Sequence, residues 1–267
     1  SFFAVGLLVD GESFFGPTSV LCYYTQWDGA SAWFGKALGI ILFFSVWAPF
    51  YAGVSYEQHV RWILPLTVSQ LGLSVYASTQ PWSGPGPNSL MGLSMWPQQC
   101  VLCAGFLAWN LLAFKSLGGP LVVSAPKDDA TYFGLAMLAL YGVVFGVPSA
   151  VMPVFQFGPS SMLCYWTTWG PAGVLLCRML GFALVFVFAS PLYAGVSYAS
   201  LARTALMINL FYFALFVECA FVLDITGPGP NGLLPFSLWY MQLPLGALMI
   251  VWNLFVLEKA GAGKLLL

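Results

Sequence analysis

Long apolar runs divide this chain at about 37–56, 62–79, 90–114, 131–154, 174–198, 204–225 and 235–257. Each approaches the roughly 20 residues that an α-helix needs to cross a hydrocarbon core about 30 Å thick. Lipid offers nothing to an open backbone, so such runs are confined to helices that bond internally. The pattern predicts an all-α, polytopic membrane protein with seven spanning helices. A further apolar stretch, SFFAVGLLV at the start, is too short to span alone.

The charge content agrees. Only 6% of the 267 residues are Asp, Glu, Lys or Arg, against about 25% in a soluble domain. So few charges cannot coat a water-facing surface, and most of the exterior must meet lipid or another apolar surface. The net charge of -1 leaves nothing for a basic stripe and excludes a nucleic-acid partner. Six scattered cysteines do not form a disulfide framework.

The chain also repeats itself. At an offset of 142, FFGPTSVLCYYTQW (14–27) matches QFGPSSMLCYWTTW (156–169) at nine of fourteen positions. PFYAGVSY (49–56) matches PLYAGVSY (191–198) at seven of eight. After one inserted residue, GPGPN at 84–88 falls on GPGPN at 227–231, Trp96 on Trp239, Gln99 on Gln242 and Asn110 on Asn253. The expectation is a tandem repeat of a four-helix unit: residues 1–114, a linker at 115–130, and residues 131–267. Ser1 aligns with Val143, so the first unit's helix one is expected to lack its N-terminal half in this chain. An opening Ser1 in place of Met suggests a processed or incomplete sequence.

Four helices per unit bring both units into the bilayer from the same side, related by a pseudo-two-fold axis along the membrane normal. The turns EQHVR (57–61) and ASLAR (199–203), the linker and the C-terminal tail then share one face. That face carries Arg61, Lys115, Lys127, Arg203, Lys259 and Lys264. Asp10, Glu12, Asp28 and Asp224 occupy the other, with Lys36 and Arg178 at the start of helix two. The positive-inside rule puts the linker and C-terminus on the cytoplasmic, stromal or matrix side.

Several residues are candidates for chemistry. Proline presets φ and glycine permits positive φ, so GPGPN is expected to be a rigid turn before helix four, its Asn capping that helix. A phosphate cradle would need a preceding strand and a lysine, and neither is present. LCYYTQW and LCYWTTW suit the membrane interface, as an aromatic belt or as a surface for pigment, lipid or protein. Their Cys22 and Cys164 could bridge only if their Cα atoms lie within about 7 Å. Glu218, in FVECAFVLD, is an acidic residue inside a predicted span. Such residues are costly in lipid and mark function by default, here proton binding, a chlorophyll magnesium ligand, or a neutral acid bonded to Asn209 or Tyr212.

His59 is the sole histidine and is expected to be solvated in the turn after helix two; alone it cannot build a zinc site. Gln99 with Gln242, and Asn110 with Asn253, form matched amide pairs on helix four that can bond between helices or line a polar path. Pro49 and Pro191 are expected to kink helix two. Cys100 and Cys103 suit small buried thiols.

Catalysis has little to work with: one histidine and no paired carboxylates in helices. Two classes remain. One is a non-catalytic subunit that packs among other membrane subunits and lipids, in an energy-transducing membrane such as a thylakoid or mitochondrial one. There chlorophyll, carotenoid or lipid would be held by Glu218, His59 or the helix-four amides. The other is a channel or carrier for a small uncharged solute, with its path between the repeats. Aromatic residues nearly all round the helices favour the first.

Overall fold

The computed structural model describes residues 2–90, 92–223 and 228–261. Ser1, Asp224, Gly227 and Lys264, each part of an expectation above, lie outside the described residues.

The described chain is helical throughout, with no strand among the described residues. It runs through α1 (Phe2–Phe15), α2 (Gly29–Tyr51), α3 (Tyr56–Ser78) and α4 (Trp96–Leu117). It then continues through α5 (Thr131–Met137), a π-helical stretch (Leu138–Gly146) and α6 (Val147–Val151), which form one rod. The short α7 (Pro153–Phe157) leads to α8 (Pro171–Tyr193), α9 (Tyr198–Phe221) and α10 (Trp239–Lys259).

Among the described residues, six helical segments are long and apolar enough to cross a membrane: α2, α4, the α5–α6 rod, α8, α9 and α10. The protein is a multi-pass membrane protein. The sequence reading expected seven spans. The remaining one, α3, has the length at 23 residues, but Glu57, Gln58, His59 and Arg61 fill its first two turns. Hydropathy also misplaced helix two, which begins at Gly29 rather than near 37. The Asp28 carboxylate caps it by accepting from Ser31 N at 2.7 Å. Lys36 and Arg178 therefore sit two turns inside their helices instead of at the start.

The repeated YAGVSY segment has a local cause. Gly53 and Gly195 take φ of 81° and 69°, a left-handed conformation that ends α2 and α8 at little steric cost to glycine. Ser55 and Ser197 then cap α3 and α9 by accepting from the N–H groups of Gln58 and Ser200. Gln58 completes a capping box at Ser55. Pro49 and Pro191 lie inside the last turn of their helices.

α2 and α8 pack against each other at the centre. Two helices bridge between neighbours: α3 packs on α8 as well as α4, and α9 packs on α2 as well as α10. α1 lies on α2, and the π stretch with α6 lies on α8. Apolar helices gain little from the hydrophobic effect within lipid, so close backbone approach carries much of the cohesion. Gly39 provides it for α1, where an added Cβ would come within 2.8 Å of the Ala4 carbonyl. Gly181 does so against Gly146 and Ala150.

An aromatic cluster joins the halves. Trp33 of α2 meets Trp166 at 5.1 Å and Trp239 at 4.9 Å between ring centroids. Trp33→Ala is expected to cost about 3–5 kcal/mol, the range for emptying a buried aromatic site. Equilibrium unfolding in mixed micelles checks this, and a loss below about 1 kcal/mol would mean that the cluster does not hold the halves together.

At one end the connections are polar. Arg203 donates to the Ala52 carbonyl at 3.1 Å, and Gln58 donates to the Gly195 carbonyl at 2.6 Å. Arg61 pairs with Glu57 at 2.7 Å and donates to the Pro120 carbonyl in the linker. These bonds gather Arg61, Arg203, the two helix-ending turns and the linker at a common end.

Candidate functional site

The LCYYTQW and LCYWTTW loops are built alike. Ser19 Oγ donates to the Phe14 carbonyl and Ser161 Oγ to the Gln156 carbonyl, both at 2.5 Å. The indole N–H of Trp96 donates to the Tyr23 carbonyl, and that of Trp239 to the Tyr165 carbonyl. Each tryptophan packs edge-on against the same tyrosine, at 5.1 and 5.0 Å. Cys22 and Cys164 are free thiols rather than a disulfide. Each S–H donates within its own loop, to the carbonyls of Tyr24 and Trp166. Burial pushes both thiols up from the ordinary range.

GPGPN clamps these loops and does not cap helix four. Asn88 Nδ2 donates to the Thr18 carbonyl at 3.0 Å, and Asn231 Nδ2 to the Ser160 carbonyl at 3.1 Å. α4 begins eight residues beyond Asn88, at Trp96, behind Met95, which makes no side-chain cap. Gly86 and Gly229 press against the carbonyls of Pro17 and Pro159 and against the cysteines, where a Cβ has no room. The sequence places the turn; its partner is tertiary.

Glu218 is bonded neither to Asn209 nor to Tyr212. Its Oε1 accepts from Lys36 Nζ of α2 at 2.6 Å. Asn209 Nδ2 contacts the Met137 sulfur, and Tyr212 OH donates to the Ala37 carbonyl. Arg178, 142 positions after Lys36, lies over the Tyr76 ring at 5.6 Å from its centroid. Tyr76 in turn stands 142 positions before Glu218. An ion pair thus ties α2 to α9, and a cation–π contact ties α8 to α3.

The other candidate residues, Asn253 apart, fall around two chambers. The first, about 70 Å³, lies between the π stretch, α8, α9 and α10, with Trp33 and Phe34 of α2 against it. Tyr141, midway along the π stretch, enters its wall and stacks on Phe188 at 5.2 Å. π-helical turns recur at functional sites because they re-aim side chains. Gln242 lines this chamber and donates from Nε2 to Tyr165 OH at 2.6 Å. Tyr165 and Tyr212 therefore spend their polar tips on protein partners and turn ring surface to the space. The walls are aromatic and aliphatic.

The second chamber, about 480 Å³, lies between α2, α3 and α4, with Phe3 and Ala4 of α1 and Met179 of α8. Phe106 and Trp109 at its rim are largely exposed, so it opens sideways from the bundle. His59, Gln99 and Asn110 all line it. His59 is not solvated: it sits in the first turn of α3, 5% exposed, with its ring 4.5 Å from that of Phe50. Capping at Ser55 started α3 earlier than hydropathy implied and turned the imidazole inward. Gln99 accepts from Tyr23 OH at 2.9 Å and donates to Cys103 Sγ.

Gln70 joins the same lining and was missed. Its signal was a lone amide in the apolar run LPLTVSQLGL, which merits suspicion in a membrane helix. Asn253 is fully buried, its amide unpartnered, and lies outside both linings. Among the described residues no three His, Cys, Asp or Glu side chains come together as a metal site.

This fold and its cavities define a multi-pass helical membrane protein with lipophilic chambers inside the bundle. No protein-family model matches the chain, and neither a curated protein nor a solved structure is significantly similar to it.

Proposed function

We propose that this protein is a non-catalytic integral membrane subunit that seats the end of a carotenoid or of a lipid chain in its aromatic chamber and packs into a larger membrane assembly. The observation that carries this reading is the first chamber: aromatic faces, with the Tyr165 and Tyr212 hydroxyls and the Trp239 indole already bonded to protein, next to the contact between the halves. Such a cavity favours an apolar molecule held by shape and dispersion. The outer faces of α4 and α10, with Val101, Phe106, Leu112, Leu248 and Val251 exposed, suit lipid or neighbouring subunits.

The architecture is proposed to be a duplicated four-helix unit, 4+4, with a pseudo-two-fold along the membrane normal. The matched loop bonds support it, as does the coincidence of α2 at 29–51 with α8 at 171–193. So does the break in α1 at Asp10, 142 positions before Met152, where α6 gives way to α7. The basic end with Arg61, Arg203 and the linker is proposed to face the cytoplasm, stroma or matrix.

Purification in mild detergent, followed by solvent extraction, absorption spectra and lipid mass spectrometry, tests the proposal. A stoichiometric apolar molecule is expected, within a complex larger than the chain. Gly246→Leu should lower that occupancy at least tenfold, because even a Cβ at Gly246 meets Phe213 at 3.1 Å and Phe216 at 3.3 Å. An isolated, ligand-free protein that passes a small solute into liposomes would overturn the subunit reading in favour of a channel or carrier.

A further inference from the structure

The second chamber gathers several unpaired polar groups, whereas among the described residues lining the first only the Trp33 indole N–H is buried without a partner. Both amide atoms of Asn110, Nε2 of Gln70 and Nδ1 of His59 are buried and have no hydrogen-bond partner. Asn110 is 3% exposed and His59 is 5% exposed. All three side chains line the same space. An unpaired polar atom in an apolar setting costs about 1–3 kcal/mol, so several around one cavity are unusual in a packed core. A ligand that accepts from their N–H donors removes that part of the cost.

Their chemistry narrows what the ligand can be. Gln70 and Asn110 present N–H donors from two adjacent helices, α3 and α4. No Asp, Glu, Lys or Arg among the described residues lines the space, so a charged ligand would have no fixed counter-charge. Flat walls come from Trp96, Trp109 and the Phe50–His59 pair. The sideways opening past Phe106 admits a molecule from the bilayer rather than from water.

We infer that this chamber binds an uncharged, lipid-soluble planar ring bearing carbonyl oxygens, a quinone-class head group, with its apolar tail leaving past Phe106. The carbonyls accept from Gln70 and Asn110, and His59 stacks or bonds beside them. Binding is all that is assigned, and it stands independently of what the first chamber holds.

The test is titration of the intact protein in nanodiscs with decylubiquinone, read as saturable quenching of tryptophan fluorescence. Decylbenzene serves as the tail without carbonyls, and cholesterol as the hydroxyl-bearing competitor. Saturable quenching by the quinone alone is expected. The Gln70→Leu, Asn110→Leu double variant should weaken it at least tenfold while its thermal midpoint stays level or rises, since an unpaired amide is replaced by a shape-matched apolar group. Asn253→Leu and Gly246→Leu should leave quinone binding unchanged, which separates this site from the first chamber. Equal binding of decylbenzene, tighter binding of cholesterol, or an unchanged affinity in the double variant would overturn the assignment.

Discussion

Glu218→Leu is expected to destabilise the protein by about 1–2 kcal/mol, between the values for exposed and buried pairs because the Lys36 and Glu218 side chains are 36% and 29% exposed, and a second change, Lys36→Met, to restore most of that loss. The reason is asymmetry. Removing one member of the 2.6 Å pair leaves an ammonium among apolar helices without a counter-charge, which is the costly case. Removing both leaves two apolar side chains that pack in place of the pair. Each single variant should therefore be worse than the double, with a coupling of at least 1 kcal/mol in a double-mutant cycle. Arg178→Met, which forfeits only the contact over Tyr76, should cost about 0.5–2 kcal/mol. Reversible unfolding in mixed micelles measures all four. If the single losses simply add in the double variant, the pair does not couple α2 to α9, and Glu218 has to be explained some other way.

The second large effect concerns the clamp. Gly86→Val should cost about 3 kcal/mol or more, because its Cβ would stand 2.5 Å from the Pro17 carbonyl and 2.7 Å from Cys22 Sγ. Gly229→Val should behave alike, with the Pro159 carbonyl at 2.5 Å and Cys164 beside it. Gly72→Ala and Gly105→Ala are the contrast. Nothing lies within 4 Å of either added Cβ, and alanine is the better helix former, so these should be neutral or stabilising by up to about 1 kcal/mol. Thermal midpoints of the four variants rank the effects. Similar midpoints for Gly86→Val and Gly72→Ala would show that the turn does not grip the loop.

Parts of this architecture were legible residue by residue. Apolar runs of spanning length admit one solution in lipid, so the helices at 96–117, 131–151 and 239–259 were close to where hydropathy put them. Helix starts were less legible, because a cap is a local hydrogen bond and hydropathy does not register it. Asp28 and Ser55 moved α2 and α3 earlier, and the second shift buried His59. Among the candidate residues, Gln99 and Asn110 were identified from their amides in apolar helices, and the structure sets them round one chamber with His59. Gln70 was overlooked, although it belongs to the same type.

The sequence by itself determined the helices, the glycine-ended turns and the internal matches, because each follows from neighbours along the chain. Only the tertiary structure decided the partners. Asn88 reaches Thr18, Lys36 reaches Glu218, and Trp33 packs on Trp166 and Trp239. These contacts span 70, 182 and more than 130 residues respectively, distances over which periodicity and propensity carry no information. They depend on which helices and loops come to lie side by side, and that is set by how whole helices pack.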